Sequence, residues 1–208
     1  MEIKAADTFF DSFERMVNRE KWYWKTWDFL RYDMPRFFRN IWMFRKDLYK
    51  YRWYSGEHAV FPFMHTALTD MANKIEERGM EVEHSRNKKI AKMRRAAELI
   101  QHMLDDDFIE LAEKELGELQ NTELAFEPAP DKEGYWQLKD SDTPEQRAHN
   151  RKVFDRAREI EDTMWVELWT ILEGQKMSQF DMFKDKSKDP QNAWDNWFDG
   201  SGLRGWWD

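Results

Sequence analysis

Apolar positions in this chain recur at three- and four-residue steps over long stretches and nowhere alternate with polar ones over the length of a strand, which predicts helices. From Glu57 to Arg78 the step is carried by Val60, Phe63/Met64, Ala67/Leu68, Met71 and Ile75, between the breakers Ser55-Gly56 and Gly79. A longer stretch, 85–117, sets Ile90, Met93, Ala97, Ile100, Leu104, Phe108 and Leu111 on one stripe, with a kink expected at Asp105-Asp106-Asp107. Thr143-Pro144-Glu145-Gln146 opens another helix, with threonine as N-cap, proline at the first helical position and glutamine closing a capping box. Its face of Val153, Ala157, Ile160, Met164, Leu168 and Ile171 runs to Gly174. Upstream, Asp33 as N-cap and Pro35 in the first turn begin a helix to about Arg52, whose Phe37, Ile41, Phe44 and Leu48 form an expected core face.

Periodicity fails in two places. Residues 118–142 gather Pro, Gly and acids and read as a loop; residues 177–208 mix Trp with Gly and Asp and read as an irregular tail. The fold class expected is all-α: one helical domain spanning 1–208, a bundle of three to four main helices, with strand content near nil. Trp206 and Trp207 are expected to dock onto the core, since a tryptophan is costly to leave in water.

Charge changes this picture. The 208 residues carry a net charge of −8, which argues against general DNA binding. Arg19–Tyr54 nevertheless holds 10 Lys and Arg against 4 Asp and Glu, about +6, leaving about −14 for the rest. The same stretch, with "EKWYWKTWDFLRYD" at its start, is dense in tryptophan and tyrosine. On a helical wheel Arg36, Arg39, Lys46 and Lys50 share a face nearly opposite the apolar one, and Phe38, Trp42 and Tyr49 stand on its shoulder. Four like charges on one face repel and call for an anion. That anion is either acidic residues of the protein itself, leaving a solvated or internally paired face, or a ligand. Aromatic planes stack on bases and Arg/Lys forks neutralise phosphate, so the candidate ligand-binding residues are Arg36, Arg39, Trp42, Lys46, Tyr49 and Lys50, and the ligand is nucleotide-like.

Other constellations are weaker. The chain has no cysteine, hence no disulfide framework and no thiol nucleophile, which suits a reducing cytosol. No apolar run is long enough to span a membrane, and the N-terminus does not read as a signal peptide. His58 with His65, and Glu98 with His102 beside Asp105, are spaced for one helix face without forming a known metal motif, so neither metal nor cofactor is expected. Glu110/Glu113 and Glu159/Asp162 form ExxE and ExxD pairs, the type with which helical nucleotide pyrophosphatases hold magnesium, about 45 residues apart. Such a pyrophosphatase is the enzymatic alternative; binding is favoured over catalysis.

The segments "FFRNIWMFRKDLYKYRWYSGEHAVFPFMHTALTDMANKIEERG", "LIQHMLDDDFIELAEKE" and "FDRAREIEDTMWVELWTIL", with the closing Trp206-Trp207-Asp208, resemble a widespread group of small Trp-rich helical proteins of tailed bacteriophages. Trp42 and Asp105–Glu115 carry the likeness most strongly; where members have Trp-Asp, this chain has "HAVFP". The resemblance implies an accessory protein of the host cytoplasm. In that setting the aromatic, cationic face suggests a homo-oligomeric sponge that sequesters a nucleotide-like signal of host defence. The alternative partner is a host or virion protein, since Trp, Tyr and Arg are the residues enriched at interface hot spots.

Overall fold

The computed structural model describes residues 22–121, 126–128, 134–138, 142–176 and 197–206. The chain divides into two compact units, Met1–Arg52 and Trp53–Asp208.

In the first unit, α1 (Trp22–Asp28), a wide π-helical stretch (Phe29–Asp33) and α2 (Met34–Lys50) follow one another with the backbone at the junctions in right-handed helical conformation. Together they make a helical rod roughly 40 Å long. Pro35 sits in the first turn of α2, where its missing N–H costs little. Asp33 makes no side-chain cap, because the helix does not begin there. No residue of the rod is buried, and Phe37, Ile41 and Leu48, the expected core face, are exposed. Amphipathic patterning tells that a helix has an apolar face, and does not tell what covers it.

The second unit carries the hydrophobic core. Four helices supply it: α3 (Glu57–Arg78), α4 (Glu83–Asp105), α5 (Phe108–Leu116) and α6 (Pro144–Glu173). The structure is thus mostly helical. α3 packs on α4, α5 on α6, and α4 on α6. Leu68, Ala72 and Ile75 of α3 meet Ile90, Met93, Ala97 and Ile100 of α4, Phe108 and Ala112 of α5, and Val153, Ala157, Leu168 and Ile171 of α6. The stripes read from sequence are therefore the buried ones, with a local shift at the start of α3, where Phe61 is buried and Val60 exposed.

The kink expected at the aspartates is a full break. Asp106 takes the left-handed conformation (φ 52°), which Asp tolerates better than most side chains. His102 Nδ1 lies 2.9 Å and 3.0 Å from the two Asp107 carboxylate oxygens across the break. At the start of α6 the capping box forms as expected: Gln146 N–H donates to Thr143 Oγ1 (3.2 Å) and Thr143 N–H to Gln146 Oε1 (2.9 Å).

The segment 118–142, expected as a loop, contains a short antiparallel hairpin, a small addition to a mostly helical structure. β1 (Phe126–Pro128) pairs with β2 (Trp136–Leu138) in the register Phe126↔Leu138, Glu127↔Gln137 and Pro128↔Trp136. Three-residue strands are too short to show an alternation, so periodicity was blind to them.

Candidate functional site

All six candidate residues lie on α2 and all are exposed. Trp42 is 69% and Tyr49 91% exposed. Arg36 pairs loosely with Asp33 at 3.8 Å. Arg39, Lys46 and Lys50 have no ion-pair partner among the described residues of their own unit. The rod adds a residue that wheel reasoning left out. Arg45 sets its guanidinium carbon 4.1 Å from the centre of the Trp42 ring and donates from Nη1 to the Trp42 carbonyl at 2.5 Å. Such a contact is worth about 0.5–1 kcal/mol at an exposed site. The i,i+3 spacing of Trp42 and Arg45 was the signal that could have found it. Arg31 stands over Tyr32 in the same way, at 5.5 Å. Two of the rod's rings, Trp42 and Tyr32, therefore carry a cation on a face, and Trp22 (77% exposed) and Trp27 stand exposed at its N-terminal end.

A second feature belongs to the other unit: a cavity of about 1350 Å³ bounded by the α3–α4 connection, the end of α6 and the residues after Trp197. None of the six α2 residues lines it. The segment 197–206 is stitched to the helices and to itself. Gly202 N–H donates to Ile171 O (2.8 Å), Trp206 Nε1 to Gly200 O (2.7 Å), and Lys88 Nζ to Phe198 O (2.8 Å). Trp206 is 1% exposed and joins the core, as expected; Trp207 lies outside the described residues. Glycine makes the approach possible. A Cβ on Gly174 would sit 2.3 Å from Gly202 Cα, and one on Gly200 would sit 2.4 Å from the Lys88 carbonyl.

Charged groups brace this segment. Burial opposes ionisation of Asp199, yet the Ser201 hydroxyl and amide, with Lys92 at 3.4 Å, outweigh it and hold its pKa below the ordinary 3.8. In the cavity floor the ammonium of Lys89, a buried residue, pairs with Glu81. Between helices, Arg95 grips Glu167 with two bonds of 2.8 Å, linking α4 to α6, and the hydrogen bonds of Arg95 depress the Glu167 pKa. Arg156 of α6 holds Glu115 of α5 at 2.7 Å and depresses its pKa in the same manner.

One carboxylate of each pair considered for magnesium is engaged elsewhere. Glu113 accepts the Leu119 amide at 2.8 Å, and Glu159 takes Arg156 at 3.0 Å. Of the imidazoles considered, His102 faces Asp107 and His58 lies 3.6 Å from Glu57. Among the described residues no three His, Asp or Glu side chains come together to hold a metal ion. No described helix is long and apolar enough to cross a membrane. No protein-family model, no curated protein and no solved structure matches the chain.

Proposed function

We propose that the protein is a non-enzymatic interaction module that grips an acidic protein surface through the rod of Trp22–Lys50. The observation that carries this reading is the rod itself, a helix with an apolar stripe, a cationic stripe and exposed tryptophans, none of its residues buried. Tryptophan, tyrosine and arginine dominate binding energy at interfaces, and an amphipathic helix laid in a groove is a common recognition mode. Cations along one side select an acidic partner and speed its encounter. A host or virion protein of a tailed phage, met in the host cytoplasm, is the partner this reading entails. The four helices of the second unit are read as one bundle, and the protein as a homo-oligomer.

The test places a photoreactive amino acid at Tyr49 of the full chain and identifies what is captured in the bacterial cell. The expected result is one dominant protein adduct, lost in the double variant Arg39→Glu/Lys46→Glu while helical circular dichroism is unchanged. No adduct, or an adduct indifferent to charge reversal, overturns the proposal.

The second reading is sequestration of a nucleotide-like anion by the same residues. The guanidinium over the Trp42 ring favours it, because the same stack accepts a base on its free face. Native mass spectrometry of the purified protein decides between the two: a stoichiometric nucleotide supports the sponge, and its absence in a protein that still crosslinks supports the protein partner. A single convex helix offers no walls to enclose a small ligand, which places this reading second.

A further inference from the structure

The cavity in the second unit has the makings of a ligand site. Its walls combine exposed apolar side chains, Met80, Val82 and Leu203, with the rings of Trp197 and Phe198. The size exceeds what a compact organic ligand needs, since pockets for such ligands run from roughly 300 to 1,000 Å³. Three cations line it, and two are already spent: Lys89 on Glu81, and Lys176 on Glu173 at 3.3 Å. Arg204 has no hydrogen-bond or ion-pair partner among the described residues.

Arg204 is also well placed. It sits in the 3₁₀ turn Leu203–Gly205, between Gly202, tied to Ile171, and Trp206, locked in the core. Both neighbours anchor the backbone, so the guanidinium is presented at the cavity wall from a fixed turn rather than from a loose end. A guanidinium without a partner next to apolar and aromatic walls matches one ligand chemistry: a flat or aliphatic apolar body with a single anionic head, carboxylate or phosphate, that the fork can take with two hydrogen bonds.

We infer that this cavity binds a small amphipathic organic anion, with Arg204 holding the anionic head and Val82, Leu203 and Trp197 packing its apolar body. All of the residues that line it belong to the second unit.

Calorimetric titration of the full chain with 1-naphthoate and with 1-naphthyl phosphate tests it, beside neutral 1-naphthalenemethanol and inorganic phosphate. The expected result is saturable binding of at least one naphthyl anion, one per chain, at least tenfold tighter than the neutral alcohol and than phosphate alone. Which of the two anions binds tighter tells a carboxylate head from a phosphate head. Arg204→Gln should weaken the anion at least tenfold and leave the neutral alcohol unchanged. Val82→Asp, on the exposed apolar wall, should abolish anion binding with the thermal unfolding midpoint intact. No saturable binding below about 1 mM, the neutral alcohol binding as tightly as the anions, or equal anion affinity in Arg204→Gln and wild type each overturns the inference.

Discussion

Replacing Trp206 by alanine should be the most damaging single change at the close of the chain. The ring is 1% exposed and packs in the core, and its Nε1 donates to Gly200 O at 2.7 Å. A tryptophan buries roughly 150–250 Å², which at about 25 cal/mol per Å² gives roughly 4–6 kcal/mol of transfer free energy. That is an upper bound, because the unfolded chain already hides part of the ring. Measured truncations of buried aromatics cost about 3–5 kcal/mol, and the expected loss is about 4 kcal/mol. Urea unfolding followed by circular dichroism reads it directly, with a fall in melting temperature of roughly 8–16 °C. Trp206→Phe separates the two contributions. It keeps most of the packing but leaves the Gly200 carbonyl without its donor, for an expected cost of about 1–2 kcal/mol. A loss under 1 kcal/mol for the alanine variant would show that the Trp206 ring adds nothing to the core and would refute its docking there.

Gly174→Ala should cost more than about 2 kcal/mol, because the new methyl would lie 2.3 Å from Gly202 Cα at a residue with φ 69°; a shift in urea midpoint equal to that of an exposed alanine substitution would contradict this. Asp199 has its pKa lowered on folding, so its contribution is present above the ordinary carboxylate range and is lost as the pH falls through the folded value. The stability gap between wild type and Asp199→Asn should accordingly be full at neutral pH and close below about pH 4, read as urea midpoints across a pH series. Arg39→Glu and Trp42→Ala should each leave the unfolding midpoint of the second unit within about 0.5 kcal/mol, since neither residue is buried; a larger loss in either would give α2 a structural role.

The helices of the core unit could be read from the chain because each buries one face at a helical period and ends on a residue with a physical reason to end it. Thr143 and Gln146 satisfy each other's backbone donors, and Gly79 and Gly174 follow the last helical residues of α3 and α6. The break at Asp106 was half legible. Three adjacent acids mark a weak point, but the choice between a bend and a left-handed turn rests on which side chains meet across the break, as His102 and Asp107 do. The β1–β2 hairpin was not legible, since three residues per strand give no period to detect.

For the sites, legibility depends on whether the side chains are neighbours in sequence. The cationic and aromatic positions of α2 share one helix, so a wheel places them correctly. What the wheel could not supply is the burial of the opposite face: Phe37, Ile41 and Leu48 have the pattern of core residues and are exposed, because pattern fixes the direction of a face and the rest of the protein decides what covers it. The cavity is the converse case. Its walls come from residues 80–89, 172–176 and 197–205, three segments that only the fold brings together. One trace of it was available. "DGSGLRGWWD" spends three glycines within six residues beside tryptophan, which is wasteful in a free tail, and two of those glycines, Gly200 and Gly202, stand where a Cβ would strike the helices or crowd Gly174. A glycine-rich segment ending in a buried indole is thus a sign of backbone packed against backbone, and a turn held from both sides is where an arginine can be left without a partner inside the protein.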